Sequence, residues 1–463
     1  MSSEKKKRLR RPDLETVYTI NEDGSRNFLH PADVHGRWQV RKDILFAFLV
    51  VVYVGLPWLQ VGGHPAVHVD IPGRLAYLFG LSFSNQDFYL LFFPLVGIGF
   101  GLFVLTALWG RIWCGYACPQ TVFMEGIFRK LERLIEGPRD KRIKRNLGPW
   151  TGGKLGRKAF KWIFFVGISA GIAHAFLSYF IPARELYSII WQGPAGHGVA
   201  FGWTIFWTVL MSFNFLWFRE QTCLVICPYG RLQSALIDDD TVVIGYDENR
   251  GEPREKGVDK GGDCIDCFRC VAVCPTGIDI RAGLQMECVG CANCIDACDD
   301  MMERIGKPKG LVRYDSFKGL SGLKRRFFRP RVYGYMAFAL IWFVGAFLAI
   351  GQRSNFEAKS VRSSGLPFQL VGDDLRNLYT LHIQNKTDEP RVYLVSFGGA
   401  EGPEPEMLIS QTRLYLAPFE VANVPIFATL LRADYPGTFP MEIAVTDSLS
   451  GEVKPVTFNF RGP

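Results

Sequence analysis

Cys264-Ile265-Asp266-Cys267-Phe268-Arg269-Cys270-Val271-Ala272-Val273-Cys274-Pro275, followed closely by Cys288-Val289-Gly290-Cys291-Ala292-Asn293-Cys294-Ile295-Asp296-Ala297-Cys298, is the stretch on which the reading of this chain turns. Each run is C-x2-C-x2-C-x3-C. That spacing sets thiolates around [4Fe–4S] clusters, with the fourth cysteine of each run crossing to the other run's cluster. Cys264, Cys267, Cys270 and Cys298 are therefore expected to hold one cluster, and Cys288, Cys291, Cys294 and Cys274 the second. Paired zinc ribbons also use C-x2-C, but four ligands per ion leave the third cysteine of each run unexplained. A purely structural cluster is the other plain alternative. Electron transfer is the chemistry the pattern points to.

Around these runs the 463-residue chain is built in blocks. Five apolar stretches, 44–61, 88–109, 159–181, 198–218 and 332–351, approach the roughly 20 residues a helix needs to cross a bilayer. The first starts too far in, and lacks a small-residue cleavage site, to be a removable signal peptide. Charge orients the blocks. Residues 1–43 carry ten Lys and Arg and 110–158 carry twelve, whereas 62–87 has only Arg74 and 182–197 only Arg184. Basic short loops stay in the cytoplasm, so the N-terminus, the 110–158 loop and the cysteine-rich 219–331 segment are expected there. Five spans then export residues 352–463. The net charge of +8 is a topology signal spread beside membrane blocks, which excludes a nucleic-acid surface. The run from Lys324 to Arg331 suits anionic membrane lipid, although a role as a stop signal beside the fifth block suffices to explain it.

All twelve cysteines lie at or before Cys298, so no disulfide staples the exported tail. That tail alternates apolar and polar residues around Tyr379, Leu381 and Ile383, with further strands at 391–397, 413–416, 420–427, 441–446 and 454–460. An Ig-like β-sandwich follows. Met407 and Met441 are too few for a methionine copper site and are expected in packing roles. The charged, Gly-rich stretch 238–262 reads as a linker.

The remaining cysteines form two matching motifs, Cys114-x3-Cys118-Pro119 and Cys223-x3-Cys227-Pro228, each just past an apolar block. They look like a duplicated unit whose thiol pairs face each other at one membrane depth. On a helix, i and i+4 share a face, and the proline marks a break and the start of the next helix. Arg111, Arg219 and Arg231 lie close by, which predicts lowered thiol pKa values. Soft thiolates select Cu(I), so these cysteines are expected to bind copper or to cycle between dithiol and disulfide. Buried structural cysteine is the alternative. His64, His68, His174 and His197 all fall toward the exported face, as candidate metal or quinol ligands whose role the sequence leaves open. There is no P-loop, dinucleotide fingerprint or nucleophile elbow, so nucleotide-driven and hydrolytic chemistry has no apparatus.

The two C-x3-C-P motifs, the double cysteine run, the fifth span and the exported tail together resemble the cytochrome c oxidase accessory protein family CcoG, also called FixG or RdxA. The resemblance covers nearly the whole chain, although Asp299 stands where a ferredoxin has proline after its fourth cysteine. It implies a multi-spanning α-helical protein of the bacterial inner membrane, with an inserted two-[4Fe–4S] ferredoxin-like domain and a C-terminal Ig-like β-sandwich. The expected domains are a cytoplasmic segment 1–43, a four-span domain 44–237, the ferredoxin-like domain 238–331, a fifth helix 332–351 and a periplasmic domain 352–463. It also implies reduction of Cu(II) to Cu(I) for cbb3-type oxidase assembly, with copper as substrate and Cys114, Cys118, Cys223 and Cys227 as catalytic residues. A cytoplasmic electron donor, copper chaperones and oxidase assembly factors are the implied partners. Two other classes stay open: a quinol dehydrogenase-type subunit passing electrons across the membrane, and a non-catalytic redox-sensing scaffold.

Overall fold

The computed structural model describes residues 28–254, 261–362 and 368–463. The chain divides into two compact units, residues up to 69 with 92–345, and residues 70–91 with 346–463.

Among the described residues four helices are long and apolar enough to cross a membrane: Asn85–Trp109, Gly152–Leu177, Gly198–Phe218 and Pro330–Gly351. Their outer faces carry bare apolar side chains, 69% exposed at Leu95 and 78% at Val199, which is the pattern of a surface solvated by lipid. Small residues let these helices approach. Phe100 stacks on Phe338 at 5.3 Å, and the Phe343 ring lies against Gly97. Phe176 meets Trp207 at 4.8 Å where Gly152–Leu177 packs on Gly198–Phe213. Phe128, fully buried, sits between Phe165 and Phe215.

Two expected spans differ in detail. The first block is a helix over Arg37–Gly55 followed by a single 3-10 turn, Leu56–Trp58. Arg37, Arg41, Lys42 and Asp43 occupy its first two turns, so it does not stand with the four apolar helices. The block expected from 159 begins earlier, because Thr151 caps the helix and the Lys154 ammonium folds back on the carbonyls of Asn146 (3.2 Å) and Gly148 (2.8 Å).

The stretch read as a linker is structural instead over 238–254, while its residues 255–260 lie outside the described residues. Val243–Tyr246 is a buried strand paired antiparallel with Val312–Asp315, closing a sheet over the cysteine runs. Four consecutive apolar or small residues were too short a signal against the charges that flank them.

In the second unit two antiparallel sheets pack face to face. One runs Glu406–Ile409, Val421–Leu431, Asp374–Asn385 and Phe356–Arg362, with Gln369–Val371 added on Asp374–Asn385. The other runs Arg413–Leu416, Arg391–Ala400, Phe439–Asp447 and Val453–Phe460. Alternation buries Leu375, Tyr379, Leu381 and Ile383 against Tyr393, Ile443 and Phe460. Met441 is in this core and Met407 packs at its edge, the packing roles expected of them. Residues 70–91 join this unit, anchored by Asp87, which pairs with Arg353 at 2.9 Å and Lys386 at 3.1 Å.

Candidate functional site

The two cysteine runs fold around two small cavities. Cys264, Cys267, Cys270 and Cys298 line one of them, beneath Tyr246 and Arg281. Cys274, Cys288, Cys291 and Cys294 line the other, with Cys270 on the shared wall. The backbone explains how. In each run the residues on either side of the second cysteine turn left-handed: Asp266 (φ 52°) and Phe268 (φ 57°) around Cys267, and Gly290 (φ 67°) and Ala292 (φ 62°) around Cys291. Left-handed φ at Asp, Phe and Ala stores strain of about 1–3 kcal/mol each, and such strain gathers at functional sites. Alternating handedness curls the loop so that backbone N–H groups face inward, a concavity suited to an anionic iron–sulfur cluster. Among the described residues no three His, Cys, Asp or Glu are gathered tightly enough to share a single ion. Eight thiols in two fours, set around cavities rather than around points, fit a cluster better than zinc. Burial pushes the Cys288 and Cys298 thiols up to about 12, so they stay protonated until a metal takes the sulfur and the proton leaves to solvent.

The C-x3-C-P motifs come together on the same unit. Cys114 lies in the short helix Ile112–Tyr116 and Cys223 in the π-helical turn Thr222–Ile226. Neither motif is a continuous helix. Cys118 and Cys227 are extended N-caps, with Pro119 and Pro228 opening the next helices. The turns leading in are also matched: Gly110 (φ 54°) and Arg219 (φ 53°) both stand four residues before the first cysteine. The Cys114 thiol feels Cys118 and Cys227, and the Cys223 thiol feels all three others, so the four lie in one neighbourhood, though among the described residues no three of them are gathered tightly enough to share a single ion. Reciprocal amide bonds between Gln120 and Asn214 (2.7 and 3.3 Å) tie the two motifs together. The Cys114 thiol donates to Gln233 Oε1 at 3.2 Å, and Tyr229, bonded to Thr106 at 2.8 Å, lies beside it.

The thiols are not acidified as their basic neighbours suggested. Burial pushes Cys114 and Cys223 up to about 12 and raises Cys118. Arg111 does pull on Cys114, but less than burial and Cys118 push against it. Arg219 is turned away, into a buried ion pair with Glu132 at 2.7 Å. Glu132 is 1% exposed and also meets Arg142 (3.4 Å) and Lys161 (3.2 Å), and Lys161 reaches Glu136 at 2.9 Å. This network fixes the strained turn at Arg219 from which the second motif starts.

Two of the histidines are used locally. His174 Nδ1 pairs with the Ala170 carbonyl at 2.7 Å and His197 Nε2 with Gln192 at 3.0 Å. His64 is half-buried and His68 buried, and no metal-holding group forms around any of the four among the described residues. The sequence reading missed Gln233, Tyr229, Gln120, Asn214 and Glu132. Their signal was polarity at the ends of apolar blocks, without the spacing that marks the cysteines.

The thiol site and the second run are in direct contact. A Cβ added at Gly115 would lie 2.8 Å from the Gly290 carbonyl oxygen, so the backbone after Cys114 rests on the Cys288–Cys291 loop. Tyr314 donates to the same Gly290 oxygen at 2.6 Å.

Comparison with known proteins bears on each part. Residues 218–317 match the family model for a 4Fe-4S dicluster domain, and residues 90–138 match a 4Fe-4S binding domain. Residues 346–463 match the Ig-like fold at the C-terminus of FixG. The chain is 38% identical to protein RdxA of Cereibacter sphaeroides over 401 residues, 82% of this chain and 84% of that protein. Protein RdxB of the same organism is 34% identical over 408 residues, 83% of this chain and 84% of that one. The nitrogen fixation protein FixG of Rhizobium meliloti is 38% identical over 322 residues, covering 66% of this chain and 61% of FixG.

Proposed function

From the premise that this chain belongs to the FixG/RdxA family of membrane-associated iron–sulfur redox proteins, we propose that it reduces Cu(II) to Cu(I) at the thiols of Cys114, Cys118, Cys223 and Cys227. The observation that carries this reading is the convergence of those four sulfurs on one locality, in backbone contact with a cysteine run of the dicluster domain. Eight cysteines, Cys264, Cys267, Cys270 and Cys298 in one set and Cys274, Cys288, Cys291 and Cys294 in the other, would hold two [4Fe–4S] clusters, which when bound supply one-electron storage and transfer.

The chain's own residues do the rest. Thiolates in a half-buried site suit a soft ion, and Cu(I) is softer than Cu(II). Cu(II) captured there gains one electron and becomes Cu(I), with no bond made or broken in the substrate beyond its ligation. The thiols lose protons to solvent as copper binds, the Cys114 proton being the one now shared with Gln233 Oε1. Near-neutral thiols with raised pKa values release copper more readily than standing thiolates, which suits a site that hands its product on.

We further propose that the protein lies in the bacterial inner membrane, with the thiols and the dicluster domain cytoplasmic and the Ig-like domain periplasmic. Arg37–Gly55 serves as the fifth span. Val40, Ile44, Phe48, Val51 and Val54 form an exposed apolar stripe along it, with 67% of Ile44 and 68% of Val51 bare. Copper chaperones and factors that assemble cbb3-type oxidase are the proposed partners, with a reductant from the cytoplasm.

The deciding experiment uses the purified chain, loaded and pre-reduced without oxygen, with a Cu(I)-specific chelator as reporter. Replacing Cys114, Cys118, Cys223 and Cys227 by Ser is expected to abolish copper reduction while iron and sulfide content is unchanged. Undiminished reduction in that variant would remove the thiol site from the reaction.

A further inference from the structure

Three segments meet at Arg111, three residues before Cys114. Its guanidinium donates to the Met286 carbonyl, two residues before Cys288, and to the Gly230 carbonyl, in the helix that follows Cys227. Gly230 is itself packed on Cys223, since a Cβ there would lie 3.1 Å from the Cys223 carbonyl oxygen. One planar cation thus grips the first motif, the second motif and the second cysteine run, with each of its two terminal nitrogens taking one carbonyl.

The duplicated motif has a counterpart to this strut. Glu220 stands three residues before Cys223 and pairs with Arg129 at 3.4 Å. Arg129 also donates to the Pro275 carbonyl at 3.1 Å, immediately after Cys274. From equivalent positions, then, both motifs reach the loops that carry Cys274, Cys288, Cys291 and Cys294.

We propose that Arg111 is a positioning residue that sets the gap between Cys114 and the Cys288–Cys291 loop, so that the Cys274, Cys288, Cys291 and Cys294 set is the one presented to the C-x3-C-P thiols. Arg111 donates to backbone carbonyls. It acts by holding two carbonyls on separate segments at once. The kinetic arm of the test rests on the copper reading above; the exchange arm does not.

The test uses the full chain in lipid nanodiscs, as wild type, Arg111→Gln and Arg111→Lys. Iron and sulfide content should be unchanged in both variants. The KM for Cu(II) should stay the same, because the four thiols remain, while kcat falls about tenfold or more, as a small misplacement of reacting groups does. Lysine should not rescue fully, since its single nitrogen replaces the two separated nitrogens, Nη1 and Nη2, that reach the Met286 and Gly230 carbonyls. Deuterium uptake over residues 286–291 should rise in Arg111→Gln. Gly115→Ala, which forces a Cβ against Gly290, should lower kcat in the same way through an independent change. Wild-type kcat and wild-type exchange in Arg111→Gln would overturn the proposal. So would full rescue by Lys, a changed KM with unchanged kcat, or loss of iron in both arginine variants. Should the wild type reduce no copper at all, the copper reading fails, and the exchange arm still decides the role of Arg111.

Discussion

Asp296 caps a helix that begins more than 250 residues before it: its two carboxylate oxygens accept the backbone N–H groups of Trp38 at 3.2 Å and Gln39 at 2.8 Å. A negative charge on the first turn also suits the helix dipole. Lys42 and Asn293, both buried, bond to each other one turn further on. The helix Arg37–Gly55 is thereby fastened to the dicluster domain rather than left to float. Gly36 is required for the contact, because a Cβ there would lie 2.2 Å from Asp296 Cγ.

Removing that cap has a predictable cost. Asp296→Ala should destabilise the first unit by about 1–2 kcal/mol, the usual loss for a helix N-cap, and Asp296→Asn by less, since it keeps one acceptor. Gly36→Ala should mimic Asp296→Ala. The apparent melting temperature in detergent, followed by loss of cluster absorbance, reports this. Equal melting of all four proteins would show the cap to be energetically idle.

Acid should weaken the protein through two groups that act with the same sign. Burial would raise Glu132, but Arg219, Lys161 and Arg142 prevail and hold its carboxyl well below the ordinary 4.5. Its contribution is present above pH 4.5 and is lost as pH falls toward the folded pKa. Burial lowers His30 from 6.5 to about 3, and its Nε2 pairs with Asn146 at 2.8 Å. Below pH 6.5 the unfolded chain takes up a proton that folded His30 refuses, so stability declines steadily from pH 6.5 toward 3. His30→Asn should flatten the decline between pH 6.5 and 5 and leave the part below 4.5. Thermal midpoints across pH 7.5 to 4 test this, and an unchanged slope in His30→Asn would exclude the histidine.

Glu132→Ala should be more damaging than either. It strands Arg219, Arg142 and Lys161 around a buried site, where loss of one partner costs about 3–5 kcal/mol. It should also loosen the second C-x3-C-P motif, because Arg219 holds a left-handed turn only while it is paired. Limited proteolysis should cut near residue 219 in this variant and spare the wild type.

These networks mark the boundary of what the sequence discloses. Cysteine spacing is a local signal: a run of three thiols at intervals of three residues reads the same whatever the rest of the chain does. Apolar blocks are local too, so four of the long helices were legible, and so was the alternation of Asp374–Asn385. What cysteine spacing cannot tell is who meets whom. Arg142 counted as a loop charge that sets orientation and Lys161 fell inside an apolar block, yet both fold into the pocket of Glu132. The thiols looked acidic beside three arginines, but a neighbour in sequence need not be a neighbour in space. Arg219 turned to Glu132, and burial then outweighed the one arginine that remained near. Val243–Tyr246 was hidden because its partner strand, Val312–Asp315, lies almost 70 residues away.

In the second unit Asp87 is the single anchor to test. It is 2% exposed and neutralises both Arg353 and Lys386. Asp87→Ala should cost about 3–5 kcal/mol by leaving two cations without their buried carboxylate, whereas Asp87→Glu should recover part of it. Protease resistance of residues 346–463 in the full chain is the readout, and unaltered resistance in Asp87→Ala would show that Glu357, which also reaches Lys386 at 3.2 Å, suffices alone.

The crossed partition of the cysteines makes the sharpest prediction about the clusters. Cys298 lines the cavity of Cys264, Cys267 and Cys270, although it lies in the other run, and Cys274 lines the cavity of Cys288, Cys291 and Cys294. Single Ala variants should therefore sort by cavity and not by run. Cys264→Ala and Cys298→Ala should leave one and the same residual EPR spectrum after reduction, and Cys274→Ala and Cys288→Ala a different one. Iron content should fall by about half in each, since each set of four would hold one cluster. Sorting by run, with Cys274→Ala resembling Cys264→Ala, would mean that each run closes on itself. Two zinc ions in place of iron in the wild type would reject the clusters altogether. The partition also bears on the thiol site, because the Cys274 set touches it through Gly115 and Gly290. Cys288→Ala should consequently stop copper reduction even where the other cluster's spectrum is intact.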